Sequence, residues 1–317
     1  MRTSVVPNMT SHHAPTPPDR TIDALATEQV DPRHQGLDLA PTLEVMAAMN
    51  EAERQVPAAV AAVLPAIAAV VDAVADCLRA GGRLFYIGAG TSGRLGVLDA
   101  AECPPTFHTD PSLVQGIIAG GRTAMFDAVE GAEDSPDQGA QDVTAASVRA
   151  GDAVVGIAAS GRTPYVLGAL RAAREAGALT VGLACNTGSE LGLVVDHALE
   201  VAVGPEVLAG STRLKAGSAT KQVLNMISTG VMIRLGKTYR NLMVDVSVTN
   251  AKLRDRAERL VMAVTGVERA QASRALDESD LRVPVAALMI RHGLDRTGAE
   301  QALDQAGGVL RVALEQG

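Results

Sequence analysis

Short runs of continuous apolar residues alternate with helical patterns through the middle of the chain, and this alternation constrains the fold more than any other feature. Such a run is typical of a strand that helices cover on both faces of a parallel sheet. The alternation predicts an α/β fold with a doubly wound, mostly parallel sheet. Right-handed crossovers then place the loops after the strands along one edge, where such sheets bind ligands. The predicted strands are 84–88, 114–119, 153–158, 180–184 and 197–203, and the helical patterns between them are 93–102, 123–130, 164–176 and 216–235.

The segments on either side of this region have a different composition. Residues 1–20 hold four prolines among Ser, Thr, Asn and His, which predicts a disordered tail. Helical patterns follow at 42–50 and at 56–79, the second ending before the pair Gly81-Gly82. Short amphipathic helices after residue 250 predict a small C-terminal helical bundle. We therefore expect a tail (1–20), a main domain (21–250) and a helical domain (251–317).

Composition excludes several classes of function. The net charge of −8 and an aromatic content of 2% disfavour binding to nucleic acids, which needs positive charge and stacking side chains. The three cysteines have no C-x-x-C spacing, so we expect neither a disulfide framework nor a thiolate zinc site, and a reducing cytoplasm fits best. The apolar stretch 56–71 is too short for a membrane span and predicts a buried helix, and the N-terminus lacks an apolar export signal.

Two glycine-flanked loops follow predicted strands and carry hydroxyl side chains. The first, G-A-G-T-S-G at 88–93, matches the dinucleotide fingerprint formally but lacks the acidic residue that should follow the second strand. Thr91 and Ser92 instead suit a monoester phosphate at a helix N-terminus. The second loop, A-S-G-R-T-P at 159–164, presents Ser160, Arg162 and Thr163 in the same way. Simple helix capping is the alternative for either loop.

A third polar cluster, G-S-T-R-L-K at 210–215, lies before the last helix of the main domain. It adds Ser211, Thr212, Arg213 and Lys215. A solvated basic turn is the alternative reading of this cluster. Together the three clusters predict one shared pocket for a small phosphorylated ligand.

These loops resemble those of the sugar isomerase domain, a doubly wound fold that binds phosphosugars. The stretches 87–107, 128–134, 156–165 and 241–246 are similar to the N-acetylmuramic acid 6-phosphate etherase family. The resemblance implies cleavage of a D-lactyl ether, with N-acetylglucosamine 6-phosphate and D-lactate as products of cell-wall recycling. It also implies a homodimer, no metal or other cofactor, and a C-terminal part similar to ubiquitin-associated domains. Asp31 and Thr220 depart from the family pattern, where we expect Asn and Gln.

The reaction needs a base at C2 of the open-chain sugar and an acid on the departing lactate oxygen. The resemblance places the family's catalytic pair on Glu102 and Glu133. Cys103-Pro104-Pro105 is expected to end the helix, which would leave Glu102 at a negative dipole end and favour its protonated form. We therefore assign Glu102 as the acid and Glu133 as the base, with the reverse left open. The alternative for Glu133 is that it complements the N-terminus of the helix after Ser135.

Two other functions compete with the etherase. A non-catalytic sugar-phosphate sensor would keep the Ser/Thr loops without needing both glutamates, and an aldose–ketose isomerase would also remove the C2 proton. About ten helical residues separate Ser92 from Glu102, or roughly 15 Å. A six-carbon sugar phosphate is shorter than this distance. We therefore expect a homodimer in which each active site is shared between two subunits.

Overall fold

The central sheet of the protein contains five parallel strands in the order β2-β1-β3-β4-β5. It is seen in a computed structural model that describes residues 25–316. Each strand begins and ends within three residues of the apolar run that predicted it, so the doubly wound α/β fold is confirmed. The strands are β1 (Leu84–Gly88), β2 (Val114–Ile118), β3 (Ala153–Ile157), β4 (Leu179–Ala184) and β5 (His197–Glu200).

Helices cover both faces of this sheet. In β1, Leu84 and Tyr86 pack into the core on one face, and Phe85 and Ile87 pack into the core on the other. The first core is closed by α2, α3, α4 and α7, and the second by α5 and α6. The helices are α1 (Thr42–Glu53), α2 (Gln55–Ala62), α3 (Leu64–Arg79), α4 (Gly90–Phe107), α5 (Pro136–Ala145), α6 (Pro164–Glu175) and α7 (Lys215–Arg234).

The prediction of a single helix over 56–79 is wrong, because the chain forms two helices there. The α2 helix ends at Ala62, and Val63 takes a non-helical conformation (φ −110°, ψ 9°) before α3 begins. Pro65 explains the break, since its ring leaves no N–H for the carbonyl four residues earlier and collides with it. The pair Gly81-Gly82 does follow the end of α3, with Gly81 in the left-handed region (φ +86°).

The helix predicted over 123–130 is also wrong. A short 3₁₀ helix spans Gly121–Met125, and turns continue from there to the start of α5. Ala124 is buried, but Phe126 is 90% exposed and Val129 is 40% exposed, so the large apolar side chains of this segment do not pack into a core. A helix gains most of its stability from burying such a face, which is missing here.

No single helix in residues 25–316 has both the length and the apolar composition to cross a membrane. The segments Thr42–Ala62 and Leu64–Arg79 meet those two criteria only when taken together, across a bend of 60°. The apolar stretch at 56–71 is half buried: Val56, Val60, Ile67 and Val70 face the sheet, whereas most of its alanines are exposed.

The C-terminal helices form a third core, separate from the two cores on the faces of the sheet. Val244 and Val246, in the connection after α7, are also buried in this core. The likeness to ubiquitin-associated domains remains a prediction, and the predicted tail 1–20 lies outside the described residues. The helices are α8 (Ala251–Thr265), α9 (Arg269–Glu278), α10 (Val283–His292), α11 (Arg296–Gln305) and α12 (Leu310–Glu315).

Candidate active site

The strand order creates a ligand-binding crevice between β1 and β3. These two strands are neighbours, with Gly88 opposite Ile157, and the sheet continues from them in opposite directions. In doubly wound sheets, ligands bind beside the carboxyl ends of the strands at such a switch point. The first and second Ser/Thr loops follow these two strands, so the fold brings them together.

The first loop leads directly into α4, which places Thr91 and Ser92 in the first turn of the helix. The first helical hydrogen bond runs from Gly93 N to Ala89 O (3.1 Å). The N–H groups of Gly90, Thr91 and Ser92 therefore have no acceptor within the helix. A Cβ on Gly93 would lie 2.6 Å from the carbonyl oxygen of Gly88, so only glycine lets the helix start this close to the strand. The geometry suits an anion at the N-terminus of α4.

The second loop is held in a fixed shape by its own polar groups. The backbone N–H of Arg162 donates to Ser160 Oγ (3.2 Å), and Arg162 Nε lies 2.9 Å from Glu190 Oε1. Gly161 takes a left-handed conformation (φ +72°), and a Cβ there would lie 2.3 Å from Ser189 Cβ. Ser160 and Thr163 remain half-buried at the mouth of the crevice.

The third cluster approaches the first loop at Gly217 in α7. A Cβ on Gly217 would lie 3.8 Å from Thr91 Cγ2 and 3.6 Å from the carbonyl oxygen of Thr212. Ser211 and Thr212 are half-buried there, whereas Arg213 is exposed. The three predicted clusters therefore converge on one region of the molecule.

Lys215 is oriented into the protein interior. Its Nζ donates to Val203 O (2.8 Å) and to Gln55 Oε1 (3.2 Å), and the residue is 2% exposed. The buried Glu206 accepts hydrogen bonds from the N–H groups of Lys215 and Ala216 and so occupies the N-terminus of α7. Burial lowers the pKa of the Lys215 ammonium, an effect that the nearby Glu206 carboxylate opposes. The Lys215 ammonium is thus engaged by structural partners.

Glu133 lies in an exposed turn that forms one wall of a cavity of about 180 Å³. Gly90, Arg94 and Glu130 also line this cavity, so it adjoins the first loop. The carbonyl oxygen of Glu133 accepts a hydrogen bond from Tyr165 N (3.0 Å), which ties the turn to the start of α6.

Arg94 lines the same cavity and is bonded to the backbone of the segment after β2. Its Nε donates to Met125 O (3.2 Å) and its Nη2 to Asp127 O (3.3 Å). Sequence reasoning did not select Arg94, and it treated Glu130 as an ordinary surface acid. The signal for Arg94 was its place one turn after the first Ser/Thr loop.

The prediction that α4 ends at Glu102 is wrong, because the helix continues through Pro104 and Pro105 to Phe107. The two prolines remove two helical N–H donors. Cys103 and Phe107 are buried in the core, and these contacts hold the last turn in place. Glu102 therefore lies inside the helix, and the helix-end argument for its protonated form has no basis. Its exposed side chain lines a second cavity of about 270 Å³ between α4 and α7.

Within one chain the two glutamates line different cavities. The cavity of Glu133 and the cavity of Glu102 have no lining residue in common. Asp99, Lys221 and Asn225 share the Glu102 cavity, and sequence reasoning missed all three. Their spacing was the available signal, since Asp99 and Glu102 are three residues apart on one helix, and Lys221 and Asn225 are four apart on another.

The described part of the chain contains no cluster of side chains suited to bind a metal ion. No group of three or more His, Cys, Asp or Glu side chains in residues 25–316 is arranged to hold a metal ion.

The fold and the converging Ser/Thr loops define a protein of the sugar isomerase (SIS) class. The SIS domain model matches residues 132–227, and the model of the glucokinase regulatory protein N-terminal SIS domain matches residues 66–174. The similarity to N-acetylmuramic acid 6-phosphate etherases extends over nearly the whole chain. The chain therefore belongs to the N-acetylmuramic acid 6-phosphate etherase family, and the predicted resemblance is confirmed.

Three curated relatives illustrate this similarity, and each has the name N-acetylmuramic acid 6-phosphate etherase. The protein of Streptomyces avermitilis is 54% identical over 96% of this chain and 97% of its own length. That of Rubrobacter xylanophilus is 57% identical over 94% and 99%. That of Gloeobacter violaceus is 56% identical over 92% and 95%. Among solved structures, a phosphoheptose isomerase from Francisella tularensis is 17% identical, with a TM-score of 0.47 over 61% of this chain and all of that one.

Proposed function

We propose that this protein cleaves the D-lactyl ether of N-acetylmuramic acid 6-phosphate to give N-acetylglucosamine 6-phosphate and D-lactate. The reaction belongs to the recycling of cell-wall amino sugars. The observation that carries this proposal is the identity of 54–57% with etherases over 92–96% of the chain. Glu102 and Glu133 support it, since each lines a cavity open to a ligand.

Elimination followed by water addition accounts for the chemistry. In the open-chain aldehyde, the proton at C2 lies next to a carbonyl, and the Glu133 carboxylate removes it. The electron pair forms the C2–C3 double bond while the C3–O bond breaks, and the lactate oxygen takes a proton from Glu102. Water then adds to the unsaturated aldehyde, with its oxygen at C3 and a proton returned to C2. The two carboxyl groups therefore finish in their starting states.

The phosphate is assigned to the N-terminus of α4. Thr91 and Ser92 supply hydroxyls beside N–H groups that have no acceptor within the helix, and Ser160 and Thr163 follow the neighbouring strand β3. We add Ser211 and Thr212 from the third cluster, which approaches Thr91 at Gly217. Arg162 is paired with Glu190, and the Lys215 ammonium donates to the Val203 carbonyl. We therefore give these two cations a structural role beside the pocket.

A homodimer would unite the two glutamates in one site. Glu102 and Glu133 line separate cavities in one chain, and about ten helical residues, or roughly 15 Å, separate Ser92 from Glu102. Leu98, beside Glu102, is 46% exposed, and Leu43 in α1 is 80% exposed. Exposed apolar side chains mark a protein-binding surface where they form a contiguous patch, and we assign these two leucines to such a patch. We assign the partner as a second copy that supplies Glu102 to the opposite phosphate loops.

A sugar-phosphate sensor is the second candidate function. It is favoured by the match of residues 66–174 to the N-terminal domain of a regulatory protein. Such a sensor would bind the phosphosugar without releasing lactate. The cytoplasm is the compartment we propose for either function, in keeping with three free cysteines.

The test is to incubate purified protein with N-acetylmuramic acid 6-phosphate and to measure D-lactate. We expect stoichiometric D-lactate and N-acetylglucosamine 6-phosphate. We also expect much slower turnover of the unphosphorylated sugar, because binding of the remote phosphate positions the reacting carbons. Binding without lactate release would favour the sensor, and conversion of an aldose to a ketose without lactate would favour an isomerase.

A further inference from the structure

The cavity that contains Glu102 has a polar side and an apolar side. Lys221 and Asn225 from α7 supply polar groups beside Glu102 and Asp99 from α4. The remaining wall is aliphatic. It consists of Leu95, Leu98 and Leu224.

Lys221 is an exposed cation that forms no direct ion pair in residues 25–316. None of the carboxylates in residues 25–316 lies within 4.0 Å of its Nζ. The orientation of the Asn225 amide that satisfies both of its neighbours lets its oxygen accept from Lys221 Nζ (2.5 Å). The amide nitrogen then donates to Asp99 Oδ1 (3.1 Å).

Asp99 holds the Asn225 amide in this orientation from the buried side. The residue is 8% exposed, and its Oδ1 also accepts a hydrogen bond from Ser228 Oγ (3.1 Å). Burial raises the pKa of Asp99, and the Lys221 ammonium opposes that effect. A buried carboxylate that orients an amide, which in turn orients an exposed ammonium, leaves a positive charge directed at whatever occupies the cavity.

We propose that this cavity is the subsite for the lactyl group and that Lys221 binds its carboxylate. The proposal rests on the proposed etherase function and on Glu102 as the acid. In the lactyl group a single carbon atom carries the carboxylate, the methyl group and the ether oxygen. A cation, an aliphatic wall and a proton donor must therefore lie close together, and one cavity of about 270 Å³ provides all three.

This arrangement would favour departure of the lactate as well as its recognition. The leaving oxygen gains negative charge two bonds away from a carboxylate, and the two charges repel each other. An ammonium beside the carboxylate reduces that repulsion while Glu102 delivers its proton. Lys221 thus acts as a specificity-determining residue that selects a 3-O-substituent with an acidic group.

The experiment compares N-acetylmuramic acid 6-phosphate with its isosteric lactyl amide, in which a neutral carboxamide replaces the carboxylate. Formation of N-acetylglucosamine 6-phosphate is measured for both. We expect the wild type to prefer the acid by about 10- to 100-fold in kcat/KM, the range for a hydrogen bond to a charged group. In Lys221→Met this ratio should fall to near 1, while Lys221→Arg should keep part of it.

Two further variants make the result decisive. Lys252→Met removes an exposed lysine from α8, far along the chain from this cavity, and should leave the ratio unchanged. Asn225→Asp places a carboxylate against Lys221 and should lower the ratio even if Lys221→Met folds poorly. A wild-type ratio in both Lys221→Met and Asn225→Asp would overturn the subsite. A wild type that releases no lactate from the parent sugar would instead overturn the etherase function itself.

Discussion

Individual acidic residues in this protein fall into two groups that differ in solvent access. Glu102 and Glu133 are exposed and line cavities, as acid–base groups must be before substrate binds. Asp152 and Glu206 are fully or almost fully buried and accept backbone hydrogen bonds. The first pair is therefore available for chemistry, whereas the second pair holds elements together.

Glu102→Gln should abolish most of the activity without weakening substrate binding. The amide keeps the size of the side chain but cannot donate a proton to the lactate oxygen, so lactate release should fall by about 10²–10⁴. Glu175→Gln, at the exposed end of α6, is a matched control that should remain fully active. D-lactate release and equilibrium binding of the sugar phosphate are measured on both. Near-normal turnover of Glu102→Gln would show that another group is the acid.

Asp152→Asn should destabilise the fold in a pH-dependent manner. Burial raises the pKa of Asp152, but hydrogen bonds from Arg83 and from the backbone lower it by a larger amount, so the net shift is downward. A carboxyl whose pKa is lowered on folding stabilises the protein above its unfolded pKa of about 3.9, and this contribution is lost as pH falls through the folded value. We expect a loss of roughly 3 kcal/mol in the free energy of unfolding at pH 7, the low end for a broken buried ion pair.

Denaturant unfolding at several pH values checks this prediction. The difference between wild type and Asp152→Asn should be constant from pH 7 to about pH 5 and should narrow below about pH 4. Asp72→Asn is the control, because the ion pair of Asp72 with Arg234 is exposed and contributes little. A difference that stays constant to pH 3 would contradict the assigned role of the Asp152 charge.

At the scale of secondary-structure elements, close backbone contacts between α5 and α6 position the turn that carries Glu133. The α5 and α6 helices approach each other at two glycines, since a Cβ on Gly139 would lie 2.0 Å from Tyr165 O, and one on Gly168 would lie 2.0 Å from Pro136 O. Tyr165 N donates to the carbonyl of Glu133, so this helix pair also fixes the turn that carries the proposed base. The position of Glu133 thus depends on helix packing.

Gly139→Ala should lower stability and activity together. Helix propensity alone would make the substitution stabilising by about 1 kcal/mol. The clash with the Tyr165 carbonyl outweighs this gain, and we expect a net loss of about 1–3 kcal/mol in the free energy of unfolding. Gly36→Ala is the control, because nothing lies within 4 Å of a Cβ there and its φ of −100° suits alanine. Thermal unfolding and lactate release measure both effects, and a stabilised Gly139→Ala would refute the packing argument.

At the scale of the whole molecule, one chain places the two proposed catalytic glutamates in separate cavities. The Ser/Thr clusters converge at the switch point of the sheet, but Glu102 faces a different cavity from Glu133. The C-terminal helices have a separate core and line neither of these two cavities. The homodimer proposed above would bring Glu102 and Glu133 into one site.

Complementation tests the shared site. Glu102→Gln protein is mixed with a Ser92→Ala, Ser160→Ala double variant under conditions that exchange subunits. In a shared site, a mixed dimer carries both lesions in one pocket and leaves the other intact, so activity should return toward half of wild type per mixed dimer. If each site is built within one chain, both pockets stay damaged and no activity returns. That outcome would exclude the shared site but not the etherase reaction.

The sequence determined the sheet, the position of the Ser/Thr loops and the family. Each strand covered on both faces is a local apolar run, so Leu84–Gly88 and its neighbours could be predicted within a few residues. The loops after β1 and β3 follow from the chain order, because parallel strands end at one edge. The motifs around Glu102 and Glu133 carried the family resemblance without any structural information.

Only the tertiary structure decided how α4 ends, where Lys215 points and which residues surround Glu102. Pro104 and Pro105 predict a helix end locally, but burial of Cys103 and Phe107 keeps the last turn helical. Lys215 looked like a phosphate ligand, yet its ammonium is bound by Val203 and Gln55. Such outcomes depend on contacts between residues that are far apart in the sequence, and their energies outweigh the local preferences that a pattern of residues can express.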